Sequence, residues 1–159
     1  WKEFSDWAEK GKAIQNRLLI LVDEDTAAFN LILSASGLPR KTEAEAAKRK
    51  DAIREATKNA ILVPFSVMET ALRGFELMRE MVVKGNPNSV TDAAVGVLAL
   101  TTCIRGAFLN VKINSAGLDD KEFVEDILNK GRIIVTAALK EEAGILEKVE
   151  QIIDNSMKK

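Results

Sequence analysis

Apolar residues recur every three or four positions through four long blocks of this sequence, and three short polar breaks separate the blocks. Such spacing lays one apolar stripe along an α-helix and gives a β-strand no buried face. The first stripe is Phe4, Trp7, Gly11, Ile14, Leu18, Leu21, Asp25, Ala28, Ile32 and Ala35. An acid, Asp25, stands in it where an apolar residue is expected. Gly37-Leu38-Pro39 ends the block. Thr42 and Glu45 have the spacing of a capping box, which opens a second stripe from Ile53 to Val82. Pro64 lies inside that stripe. It removes a backbone donor and crowds the Ala60 carbonyl, so a kink is expected there. Gly85 closes the block.

The third block begins at a second capping-box spacing, Ser89 with Asp92, and is apolar on nearly every side from Ala93 to Ile113. A helix of that kind is enclosed on all faces, at a bundle centre or in a subunit interface. Gly117 ends it. Asp119 with Glu122 caps a fourth stripe of Phe123, Ile127, Gly131, Ile134, Ala138, Ile145, Val149 and Ile152. The pattern therefore predicts helices over 2–35, 43–84, 90–115 and 120–156, no sheet, and an all-α antiparallel bundle in one domain spanning 1–159.

Composition removes several chemistries. There is no histidine and one cysteine, Cys103. A Ser-His-Asp triad, a zinc site and a Glu-x-x-His di-iron site are thereby excluded, and no metal site is expected. No nucleotide-binding glycine loop occurs. The formal net charge of −1 offers no basic footprint for nucleic acid. The longest apolar run, Ala93–Ile104, stops at Arg105 and reads as too short to span a membrane. A lone cysteine fits a reducing compartment, and a cytoplasmic location is expected. The sequence opens at Trp1 without an initiator methionine, which suggests a fragment of a longer polypeptide. Proton transfer at neutral pH falls to Asp, Glu, Lys, Cys103 or water.

Three places compete for a functional reading. Asp25 is either a buried carboxylate of raised pKa, hence catalytic, or a stripe edge pointing to water beside Asp23 and Glu24. The turn Gly85-Asn86-Pro87-Asn88-Ser89-Val90-Thr91-Asp92 either holds a ligand at a helix N-terminus or does ordinary capping. Asn110 and Asn114 share a helix face with Gly106, and serve either to hydrogen-bond a heterocycle or to join helices. Cys103 reads as a small core residue.

At these residues the chain resembles the cyclodeaminase/cyclohydrolase family of folate enzymes. Val22-Asp23-Glu24-Asp25-Thr26-Ala27-Ala28-Phe29, Val63-Pro64, the Gly85–Asp92 turn and Gly106–Asn114 match in order and spacing over essentially the whole chain. The family includes the C-terminal half of formimidoyltransferase-cyclodeaminase and the stand-alone methenyltetrahydrofolate cyclohydrolases. Its members carry a Pro-Gly-Gly-Gly-Ser stretch and a helix ahead of where this sequence begins. The expectation is a domain lacking that segment. The resemblance implies an all-helical homodimer or higher homo-oligomer with folate near the interface, and no cofactor beyond the tetrahydrofolate substrate. It implies a role in one-carbon metabolism and histidine degradation; from charge and the length of the apolar run, no nucleic-acid or membrane partner is expected. The first activity it implies is cyclodeamination of 5-formimidoyltetrahydrofolate. The second is hydrolysis of 5,10-methenyltetrahydrofolate, and a non-catalytic assembly or folate-binding module is the third reading. For either catalytic reading, Asp25, the acid on an apolar stripe, is the expected proton-transfer residue with Asp92 second; Asn86, Asn88, Ser89 and Asn110 are expected to line one substrate cleft, and Asn114 is a further candidate for substrate binding.

Overall fold

The computed structural model describes residues 2–158, and among them there are four long α-helices and no strand. Helix α1 spans Lys2–Ser36, α2 Glu43–Lys84, α3 Val90–Ser115 and α4 Lys121–Met157, with a single 3-10 turn at Pro87–Ser89 before α3. The chain runs up, down, up and down in sequence. Lys84 at the end of α2 pairs with Glu3 at the start of α1. Lys58 of α2 reaches Asp120, which caps α4, at 2.6 Å, so α2 and α4 run the same way.

The capping box of α2 is present on both sides. Thr42 Oγ1 accepts from the Glu45 N–H at 3.2 Å, and Glu45 Oε2 accepts from the Thr42 N–H at 3.0 Å. Gly85 closes α2, its N–H donating to the Met81 carbonyl at 2.9 Å. The other two caps differ from expectation. Ser89 makes no side-chain cap bond; Asn86 does that work one turn earlier, its Oδ1 accepting from the Asn88 N–H at 3.0 Å. Asp120, not Asp119, caps α4 by accepting from the Phe123 N–H at 3.2 Å. Two adjacent aspartates offer the same signature, and both meet a lysine of α2: Asp120 meets Lys58 at 2.6 Å, and Asp119 meets Lys50 more loosely at 3.7 Å. Helix α3 ends at Ser115 with Ala116 as its C-cap, so Gly117 lies just past the cap.

The core has two unequal parts. The larger joins α2, α3 and α4 through Ile61, Met68, Phe75, Val97, Ile104, Val111, Ile127, Ala138 and Ile145. The smaller lies on the other side of α2, where Leu21 and Ala28 of α1 meet Ala60 and Val63. Helix α1 packs on α2 and makes no comparable contact with α3 or α4. The hub is therefore α2. Burying each of the largest of these side chains contributes about 1.5–3 kcal/mol.

Helix α3 is proportionally the most buried, with nine of 26 residues buried against twelve of 42 in α2. Within the single chain, however, it is not enclosed on all faces. Phe108 is 9% exposed, while Val95 is 65%, Leu98 46%, Leu109 61% and Ile113 69% exposed. Among the described residues, one long side of an almost wholly apolar helix is thus left largely uncovered. Its hydroxyls are absorbed locally: buried Thr101 and Ser115 donate back to the Val97 and Val111 carbonyls at 3.3 and 2.7 Å. Because the helix continues through Arg105, Pro87–Ser115 is long and apolar enough, by length and composition, to cross a membrane. This corrects the reading of that run as too short. A core helix of a bundle meets the same criterion, and a third of this stretch is buried against its neighbours.

Candidate functional site

The positions that matter follow from α2 standing between α1 and α3. Two helices laid on adjacent sides of a third leave a slot between them. Here it has a volume of about 550 Å³, within the range of small-molecule sites. Leu18, Leu19 and Val22 form its α1 wall, Pro64 and Val67 its floor, and Cys103, Ala107 and Asn110 its α3 wall. Its polar groups are Gln15, Asp25, Thr26 and Asn110. An apolar slot with a few polar groups, one of them a carboxylate, suits a flat heterocycle bearing donors and acceptors.

Asp25 and Asn110, which are 85 positions apart in the chain, therefore line one slot. Asp25 comes there as a stripe edge: Leu21 and Ala28 on either side are buried, while Asp25 is exposed. The burial expected of it is absent in the single chain, and this corrects the reading of Asp25 as a desolvated acid. Glu24 faces elsewhere and is occupied. Arg17 Nη1 and Nη2 donate to its two carboxylate oxygens at 2.5 and 3.0 Å, and that guanidinium holds the Glu24 carboxyl below its usual range. Of the acids in the Asp23-Glu24-Asp25 run, Asp25 alone lines the slot.

The other candidates separate. Asn86, Asn88, Ser89 and Asp92 are all exposed at the start of α3. Asp92 and Asn110 are 18 residues apart on one helix, roughly 27 Å along its axis. Within one chain the Asn86–Asp92 turn and Asn110 do not form one cleft, contrary to expectation. The turn's Asn86 is accounted for by capping. Asn114 does not line the slot; its Nδ2 donates to the Ala60 carbonyl at 2.8 Å, which joins α3 to α2. Gly106 lies on a different groove, between α3 and α4, with Arg105, Leu109 and Lys112. The three residues Gly106, Asn110 and Asn114 thus serve three different surfaces.

Sequence reasoning missed Cys103 and Pro64 as wall and floor. Cys103 is half-buried, and burial pushes its thiol pKa up, which keeps it protonated and poorly nucleophilic. A signal existed for it: Cys103 and Asn110 are seven apart, two turns along the same face of α3. Among the described residues no three Asp, Glu, Cys or His side chains converge as a metal site.

The formiminotransferase-cyclodeaminase family profile matches residues 1–132. A methenyltetrahydrofolate cyclohydrolase from Methylorubrum extorquens is 36% identical over 135 residues, covering 84% of this chain and 65% of that protein. The formimidoyltransferase-cyclodeaminase of Sus scrofa is 30% identical over 138 residues, covering 87% of this chain and 26% of its own length. The chain thus spans about two thirds of one relative and about a quarter of the other. A formiminotetrahydrofolate cyclodeaminase from Thermotoga maritima has the same fold, with a TM-score of 0.69 at 18% identity over 92% of this chain and 67% of that one. On the profile match and these identities, the chain belongs to the formiminotransferase-cyclodeaminase family.

Proposed function

We propose that the slot between α1 and α3 binds a tetrahydrofolate derivative and that Asp25 moves protons at its one-carbon unit. The observation that carries this reading is the placement of Asp25 and Asn110 on the same slot, in a chain with no histidine. The first activity is cyclodeamination. N10 of 5-formimidoyltetrahydrofolate attacks the amidine carbon, and a tetrahedral carbon between nitrogens forms. The N10 proton leaves to the Asp25 carboxylate. The amidine enters protonated, so its former imino nitrogen already carries two hydrogens; the same carboxyl returns the N10 proton to it as the third, the carbon–nitrogen bond breaks, and ammonia departs from the 5,10-methenyl cation. A carboxylate suits both halves because it accepts and then donates at one place. Folate lying against Leu18, Leu19 and Val22 would exclude water from Asp25, which the single chain leaves exposed. Asn110 would hydrogen-bond the pterin edge with both its donor and its acceptor.

A second reading is hydrolysis of 5,10-methenyltetrahydrofolate, with Asp25 taking the proton from the attacking water. The 36% identity to a cyclohydrolase, over 65% of that protein's length, favours it. The two activities use one carbon and one slot, so a pair of assays separates them. Ammonia release from 5-formimidoyltetrahydrofolate supports the first, and loss of the methenyl chromophore faster than in buffer supports the second. Folate binding without either turnover would point to a binding module. Absence of binding and turnover together would sink the proposal.

A further inference from the structure

Pro64 has no N–H to offer the Ala60 carbonyl one turn back, so that acceptor lacks its ordinary helical partner. Asn114 Nδ2 of α3 fills the vacancy at 2.8 Å. The orientation of the amide is forced, because its oxygen would set acceptor against acceptor and only the NH2 edge can meet a carbonyl. Ala60 is buried and Asn114 half-buried, so an unmet carbonyl there would be costly. Both ends of the bond adjoin the slot. Pro64 is part of its floor, and Asn110 stands one turn before Asn114 on its α3 wall.

We propose that Asn114 is a positioning residue that latches α3 to the carbonyl Pro64 leaves open, and so fixes where Asn110 stands in the slot. The remaining α2–α3 contact is built around apolar side chains such as Met68, Phe75, Val97 and Ile104. Apolar contact sets how closely helices approach but is not directional, whereas a hydrogen bond is. The latch therefore sets the register of α3 along α2. It works only as a pair. With an ordinary residue at position 64, the Ala60 carbonyl would be satisfied within α2, and losing the Asn114 bond would no longer leave it unmet.

This dependence makes the proposal testable by a cycle of four full-length proteins: the natural one, Asn114→Ala, Pro64→Ala and the double variant. Three quantities are read in each. They are the urea midpoint, the rate at which iodoacetamide alkylates Cys103 (the sole cysteine, on the same slot), and KM and kcat with the folate substrate. With Pro64 in place, Asn114→Ala should lower the midpoint and speed alkylation roughly three- to tenfold. KM should rise by a similar factor while kcat is largely kept, since Asp25 sits on α1. In the Pro64→Ala background the same change should do little. Asn114→Asp is isosteric but sets a carboxylate against the carbonyl, so it should be worse than Asn114→Ala; a packing role would tolerate it. If Asn114→Ala does not fold, Asn114→Ser replaces it in the cycle. Additive losses in midpoint and alkylation would overturn the latch. Coupled losses with an unchanged KM would overturn its hold on Asn110. The KM readout rests on the folate proposal, but the other two do not: coupling without any folate turnover would support the latch and count against the folate reading alone.

Discussion

Asp25 is an acid on an apolar stripe that resolves, in space, as the edge between a buried row and an open slot. Its flanking partners on the stripe, Leu21 and Ala28, are buried, which holds the backbone while leaving the carboxylate free to meet a ligand. Asp25→Asn is nearly isosteric and cannot shuttle protons. It should lower turnover roughly a hundredfold or more with substrate affinity largely kept. Steady-state kinetics beside a folate titration check this, and near-normal turnover would remove Asp25 from the mechanism. Asn110→Ala should do the reverse, weakening folate binding roughly tenfold, the loss of about one well-placed hydrogen bond, in a protein with an unchanged circular dichroism spectrum. Asp120 is a structural acid by contrast. Its hydrogen bond from the Lys58 ammonium, and then that from the Phe123 N–H, hold its carboxyl below the usual range. A depressed carboxyl stabilises the fold above its unfolded pKa and loses that contribution as pH falls through the folded one. Asp120→Asn keeps the cap but not the ion pair. Its urea midpoint should therefore fall less between about pH 7 and about pH 3 than that of the natural protein; equal falls would show that the pair carries no acid sensitivity.

Glycines on the helices divide by what surrounds them. A Cβ on Gly131 of α4 would stand 2.3 Å from Phe108 Cε2, so the Phe108 ring packs directly on the α4 backbone. Alanine there gains helix propensity of about 1 kcal/mol but displaces a buried ring, at a cost of about 1–3 kcal/mol. Gly131→Ala should lower the midpoint, and Gly144→Ala, with nothing within 4 Å of its Cβ, should raise it. If both move the same way, the close approach of α3 and α4 is not what the glycine serves. At this scale the helices were legible from periodicity, because 3.6-residue spacing and Thr42 with Glu45 are local signals. Where the caps fell was less so: Asp119 and Asp120 offer the same chemistry, and their partners, Lys50 and Lys58, lie more than sixty positions away on α2. The slot was legible only in part. Asp25 and Asn110 announced themselves as polar groups among apolar ones. The Asn86–Ser89 turn announced itself equally, yet it lies far along α3 from the slot, and its Asn86 side chain caps its own turn. Asn114 looked like a second ligand contact because nothing local reveals that Pro64 has freed a carbonyl beside it.

The whole molecule is a three-helix core with a fourth helix attached to one side. Helix α1 buries three of its 35 residues, and Leu19, Val22, Phe29 and Leu33 are more than half exposed. A helix held on a single side opens independently of the rest, since its release breaks few contacts outside that one seam. Amide exchange should therefore be fastest along α1 and slowest in the middle of α2 and α3. Uniform protection across all four helices would contradict this arrangement. Asp25 thus rides on a helix held through one seam, while Asn110 rides on one held by both α2 and α4. A molecule seated between them is, in effect, a crossbar, and its binding energy is spent partly in fastening α1 down. Occupancy should accordingly be readable far from the bound molecule, as slowed exchange along α1, even where no bond to the ligand exists.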